Sequence, residues 1–302
     1  MIAFGKDSAL VTEYVRSLRG GSQPILARAS DGFQYVVKFA NNLQGPNLLF
    51  NESAGSELYL ACGLPVPEWT PLWIADSFLD RNPDCWMQTP EGRLRPASGL
   101  CFGSRFLEQK GKRLFEILSG AMFSRVRNQV SFWHAWLIDI CADHVDNRQA
   151  VFVEDANGWL DAHFVDHGHL FGGPTAESNR NFRASRYLDP RIYTGVSFRA
   201  LLDFQRRLQG LDLDKVRQRI EVIPSEWSHA SARERFDCCL QRLKTDSLVQ
   251  NVIETIAHDI ERRAETETGN GGSERKPSSA ILRHSPQDAG FGRSRAHLPH
   301  CV

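Results

Sequence analysis

Residues 138–168 read IDICADHVDNRQAVFVEDANGWLDAHFVDHG, and this stretch decides how the rest of the chain is understood. Two apolar, β-branched-rich runs, 149–154 (QAVFVE) and 159–165 (WLDAHFV), flank Asn157-Gly158, a dipeptide suited to the left-handed conformations of a tight turn. The spacing predicts a β-hairpin. A hairpin carries the chain out and back, so Asp146 before it and Asp166 after it finish near one another. Two carboxylates facing one cleft suit a divalent metal held over a phosphate-bearing substrate.

Toward the N-terminus, Asp7 or Ser8 is placed to cap a helix running to Leu18 and stopped at Gly20-Gly21. Strands are predicted at 24–30 and 33–39, joined at Asp31-Gly32. Over 47–62, Leu48, Leu49, Ala54, Leu58 and Ala61 recur at helical spacing, and Gly63 ends the run. The prolines of LPVPEWTPLWI (64–74) exclude helix and leave extended chain and a strand. Residues 80–96 read as a loop or ragged hairpin, and 98–106 (SGLCFGSRF) as an edge-type strand.

Beyond that point the periodicity turns helical, at 114–118 and 126–141, and after the hairpin at 198–208, 212–222, 232–243 and 247–263. From about Ala264 the chain is polar and rich in Gly, Ser and Pro, without a periodic apolar set. Such a segment cannot bury enough surface to offset its ordering entropy, and a disordered tail is expected over 264–302. Strands first and helices later predict an α+β protein of two lobes. The first is a β-rich N-lobe, 1–103, and the second a mainly helical C-lobe, 104–263, containing the hairpin region 146–168.

Composition narrows the function classes. Lys+Arg and Asp+Glu each total 36 in 302 residues, so no global field draws the chain to nucleic acid or an anionic membrane. No direct nucleic-acid or membrane partner is expected. Seven cysteines form no CxxC pair, and an odd number without regular spacing predicts reduced thiols. MIAFGKDSALVTEY lacks the basic and apolar regions of a signal peptide, and no stretch approaches the roughly 20 apolar residues of a spanning helix. A cytoplasmic location is the expectation.

The chemistry-bearing residues occur in a telling order: Lys38 in YVVKF, Glu52 at NE (51–52), HVDN at 144–147 and VDHG at 165–168. That order follows the kinase plan of a strand lysine, a helix acid, a catalytic-loop Asp and a hairpin leading to a metal-binding Asp. The chain resembles the HipA-like kinase family, a bacterial branch of the protein-kinase-like fold. The likeness is carried by GGSQPILARASDGFQYVVKFANN (20–42), NE, GLPVP (63–67), CFGSRF (101–106), DNRQAVF (146–152) and FVDHGHLF (164–171).

The resemblance implies a two-lobed kinase-like fold that transfers the γ-phosphoryl group of ATP to a hydroxyl, of protein Ser or Thr, with Mg²⁺. It implies that Lys38 contacts the nucleotide phosphates, oriented by Glu52, and that Gly20, Gly21 and Ser22 begin the phosphate-covering segment. Asp146 would take the proton of the attacking hydroxyl and Asp166 would bind the metal. Two places depart from the plan. There is no GxGxxG, and Val151 stands where an amide is expected five residues after Asp146, which leaves Gln149, or Asn147, as the second metal ligand.

Alternatives stand beside these assignments. Asp143 competes with Asp146 as the base, and Glu57 with Glu52 as the lysine's partner. Without the amide, a catalytically inactive kinase fold serving as a binding module is one rival function. His144, His163, His167 and His169 with Asp146 and Asp166 suggest another, a metal-dependent hydrolase. On a strand His163 faces away from Asp166, which splits that set. The wider family includes toxins paired with DNA-binding antitoxins, but nothing in this sequence assigns such a partner.

Overall fold

The computed structural model describes residues 8–107, 112–175, 185–193, 197–245, 250, 253 and 254. Most of the helix expected at 247–263, and all of the tail at 264–302, lie outside them.

Five strands close into a barrel. In chain order they are β1 (Ala9–Ser17), β2 (Ile25–Ala29), β3 (Gln34–Lys38), β4 (Trp69–Ile74) and, after a two-stranded excursion, β7 (Gly99–Arg105). The order around the barrel is β1-β2-β3-β7-β4, and a short parallel pairing of Ala9 with Leu72 and Leu10 with Trp73 seals it. Period-2 alternation sorts the side chains. Val11, Ile25, Ala27, Tyr35, Val37, Leu72, Ile74 and Cys101 fill the interior, while Val36, Lys38, Phe102 and Ser104 face outward into a cleft.

The excursion is a short helix, α2 (Asp76–Arg81), and a hairpin of β5 (Met87–Thr89) and β6 (Gly92–Leu94). Between β3 and β4 runs α1 (Leu48–Ala61). It is buried on nearly every side, and its Leu48, Leu49, Phe50, Ala54, Leu58 and Tyr59 belong to the larger core with the helical part of the chain.

That larger core is built on α3 (Val130–Cys141), whose VSFWHAWLIDIC is buried almost throughout. It packs against the hairpin of β9 (Gln149–Glu154) and β10 (Leu160–Val165) and against α4 (Phe198–Gln209) and α6 (Ala230–Lys244). The hairpin register pairs Gln149 with Val165, so the residues just outside it share one end. Its turn is held by Asp155, whose Oδ1 accepts from the Asn157 and Trp159 N–H groups at 2.9 Å. α5 (Leu213–Arg219), capped by Asp212, passes directly into a 3-10 turn at Ile220–Val222, so the helical segment expected at 212–222 tightens in its last turn.

Several expectations are corrected. The segment read as a helix ending at Leu18 is strand β1, because VTEYVRS is β-branched and aromatic and its partner strand outweighs a capping signal at Asp7 or Ser8. CFGSRF lies at the centre of the barrel between β3 and β4, not at an edge. Gly103 permits this, since a Cβ there would fall 2.4 Å from Leu72 Cδ1. Residues 114–118 hold no helix: β8 (Arg113–Phe115) instead adds a third strand beside β9. Among the described cysteines, Cys62, Cys85, Cys101, Cys141 and Cys239 are buried thiols.

Candidate functional site

A cleft of about 1040 Å³ opens between the outer face of the barrel and the hairpin end of the helical part. Lys38, Glu52, Asp146, Asn147, Gln149 and Asp166 all line it. Lys38 comes from the last position of β3, where alternation turns it out of the barrel interior. Its Nζ donates to Glu52 Oε1 and, at 2.8 Å, to Asp166 Oδ1. The lysine is 6% exposed and Glu52 2%, so each charge depends on the others for compensation.

Glu52 is fixed from the other side. Its Oε2 accepts from the His167 N–H at 3.1 Å and its Oε1 from the Gly168 N–H at 2.9 Å. The neighbouring Asn51 Nδ2 donates to the carbonyls of Gly168 and Leu170, both at 2.9 Å. Helix α1 therefore holds the segment after the hairpin as well as the lysine. Close approach makes this possible: a Cβ on Gly168 would lie 2.3 Å from Leu48 Cδ1, and one on Gly55 would lie 2.6 Å from His167 Cβ. Glu57, the rival acid, turns away to accept from Trp69 Nε1 at 2.8 Å and Arg219 Nε at 2.6 Å.

Asp166 sits at φ +59°, a left-handed conformation that Asp tolerates better than bulkier residues do. Beneath it runs a network that the motifs did not reveal. Arg148, 2% exposed, donates from Nη1 to the Val165 carbonyl at 3.0 Å and to the Asp166 carbonyl at 3.4 Å. Its Nε and Nη2 form a fork on Asp139 at 2.9 and 2.7 Å, and Tyr59 Oη donates to the same carboxylate at 2.6 Å. The signal for it was an acid in the middle of the apolar helix α3, where an unpaired carboxylate is costly.

Burial works against ionisation at Asp166, but the Lys38 charge beside it outweighs burial and holds the carboxyl below its usual range. Burial likewise disfavours the Lys38 ammonium, and the Asp166 and Glu52 carboxylates more than offset this and keep it protonated. Glu52 moves upward, first through burial and then through the charge of Asp166. With both acids ionised, this trio carries a net charge of −1, an environment suited to a cation.

The loop between α3 and β9 separates the two candidate bases. Asp146 lines the cleft, and its Oδ1 accepts from the Asn147 N–H at 2.7 Å. Asp143 pairs with Arg242 of α6, away from the cleft lining. Gln149 Nε2 donates to Asp166 Oδ2 at 2.7 Å, and Val151 also lines the cleft. Of the residues expected to begin the phosphate-covering segment, Gly20 and Ser22 line the cleft, while Gly21 faces Gln44 instead.

The histidines do not converge. His167 is buried against the Tyr59 ring, with centroids 4.6 Å apart, His169 meets Gln44 at 3.0 Å, and His163 lies on β10. Burial, aided by Arg148, holds His144 and His167 well below the ordinary imidazole value. Among the described residues, no group of three or more His, Cys, Asp or Glu side chains is arranged to hold a metal ion. None of the described helices is long and apolar enough to cross a membrane.

No family model matches the chain, and no curated protein matches it in sequence. Solved structures similar to it include the Golgi casein kinase with Mn/ADP bound, at TM-score 0.44 and 11% identity, covering 82% of this chain and 72% of that one. A second structure of the Golgi casein kinase gives 0.45 and 11% over the same shares. The Helicobacter pylori proinflammatory kinase CtkA gives 0.49 and 12%, covering 82% of this chain and 98% of that one.

Proposed function

We propose that this chain is a kinase of the HipA-like kind, transferring the γ-phosphoryl group of ATP to a hydroxyl. One observation carries the reading: Lys38, Glu52 and Asp166 are linked by direct hydrogen bonds at the wall of a cleft that Asp146 and Gln149 also line. In this reading the barrel (N-lobe) covers the nucleotide and the helical part (C-lobe) supplies the reacting groups.

The residues fit a magnesium ion. Magnesium takes few protein ligands and completes its octahedron with water and phosphate oxygens. Asp166 Oδ2 accepts from the Gln149 amide, and rotation of that amide would present its oxygen instead. Asp166 and Gln149 would hold the ion, which when bound neutralises charge on the phosphates.

The chain's own groups supply the rest. Lys38, fixed by Glu52, offers a point charge to the phosphates. Asp146 accepts the proton of the incoming hydroxyl as its oxygen bonds to the γ-phosphorus, and the bond from that phosphorus to the β–γ bridging oxygen breaks to release ADP. Such chemistry is mostly positioning and charge stabilisation. The resemblance to HipA-like kinases supports protein Ser or Thr as the acceptor.

The test pairs binding with transfer. Mg-ATP at about 100 times its Kd should stabilise the protein by roughly 2.7 kcal/mol. Asp166→Asn should lose that gain, and Asp146→Ala should keep binding while losing transfer from γ-labelled ATP. Val151 in the cleft favours a second reading, a nucleotide-binding module; binding without any label transfer by the wild type would establish it. Absence of any nucleotide effect would end both.

A further inference from the structure

Five cationic side chains line the cleft: Arg16, Arg19, Lys38, Arg105 and Arg148. Three are neutralised within the protein, Lys38 by Glu52 and Asp166, Arg105 by Glu68, and Arg148 by Asp139. Arg16 and Arg19 have no ion pair with another described residue. Both lie where β1 ends and the chain turns toward β2.

Their placement follows from a defect in the strand. Tyr14 pairs with Ala27 but Arg16 pairs with Leu26, so two steps on β1 oppose one on β2. This is a β-bulge, which re-aims the side chains beyond it. Tyr14 packs against the barrel interior together with Ala27. Regular alternation would point Arg16 the same way, whereas the bulge brings it onto the outer face. There it lies in a row with Leu26, Val36 and Ser104.

The following turn is braced. Leu18 N donates to the Pro24 carbonyl at 2.8 Å, and Gln23 N to the Gly20 carbonyl at 3.1 Å. Asn42 Nδ2 holds the Ser22 carbonyl at 2.8 Å, while Gln23 exchanges two hydrogen bonds with the Gln88 backbone. Arg19 is thus presented on a fixed turn at the Lys38 end of the roof. Arg16 stands two residues of strand behind Leu18, about 7 Å away.

We propose that Arg16 and Arg19 form a guanidinium clamp for the phosphate tail of the nucleotide, in place of the amide cradle that a GxGxxG loop would supply. Arg19 serves the terminal phosphates beside Lys38, and Arg16 the part of the tail nearer the base. Guanidinium forks match phosphate oxygens in charge and geometry. The inference rests on the kinase reading above and deepens it.

The experiment compares ATP with adenosine on the whole protein by calorimetry. Arg16→Ala/Arg19→Ala should weaken ATP binding by at least about ten-fold, the worth of one charge-assisted hydrogen bond. Adenosine affinity should stay at the wild-type value, which also shows that the variant is folded. ATP binding equal to wild type, or an equal loss for ATP and adenosine, would overturn the clamp and leave the kinase reading standing. A wild type that binds no ATP would overturn both.

Discussion

At the scale of single residues, the buried fork of Arg148 on Asp139 decides whether Asp166 keeps its shape. Arg148 donates to the backbone of Val165 and Asp166 from below, while Lys38 takes the Asp166 side chain from above. Removing one partner of a buried pair leaves the other charge uncompensated, at about 3–5 kcal/mol. Arg148→Met should therefore lower stability by that amount in urea titration. Arg148→Met/Asp139→Leu should recover part of the loss; equal losses in both variants would mean that packing, not charge, is at stake. Lys38, Glu52, Asp146 and Asp166 were legible because their order along the chain is a pattern. Arg148 was not, since its role depends on a contact with a helix side chain nine residues earlier.

At the scale of elements, the contact between α1 and the turn after β10 explains why a glycine follows His167. The space that a Cβ on Gly168 would need is taken by Leu48 Cδ1 and, at 2.8 Å, by Glu52 Oε1. Gly168→Ala should cost about 1–3 kcal/mol by overpacking, and it should weaken Mg-ATP binding because Glu52 is displaced from Lys38. A variant with wild-type stability and nucleotide affinity would show that the contact is slack. The hairpin, the β2–β3 pair and α1 were legible from period and turn residues. β1 was misread because Ser8 and Gly20-Gly21 mimic the two ends of a helix, although VTEYVRS favours a strand. β8 has three residues, too few for any period to show.

At the scale of the molecule, two cores, one inside the barrel and one around α3, flank the cleft. The helical core holds imidazoles with little access to water. His134, stacked on Phe204 with centroids 3.9 Å apart, is pushed down to about 4, first by burial and then by Arg207. His144 and His167 move the same way. In the unfolded chain a histidine takes up a proton near pH 6.5. Below that value the unfolded state binds protons that the folded state refuses, and stability falls as pH drops.

These three imidazoles outnumber Glu52 and Asp139, buried acids shifted upward, whose contribution has the opposite sign. The urea midpoint should therefore fall between pH 6.5 and 4.5, and His134→Phe should reduce the fall. A midpoint that rises on acidification would contradict this account. Strand-rich and helix-rich halves were visible as a change of period along the chain, but circular closure of the sheet was not. It depends on Ala9 and Leu10 meeting β4, a pairing some sixty residues distant that no local pattern announces.

That closure has a consequence for how the molecule behaves in company. An open sheet of five strands would present two rims of unsatisfied backbone amides, to which another chain could add a strand of its own. Here the first and last members of the barrel order meet at Ala9–Leu72 and Leu10–Trp73. At this seam the start of β1 and the end of β4 are closed to an incoming strand, and two residue pairs hold it.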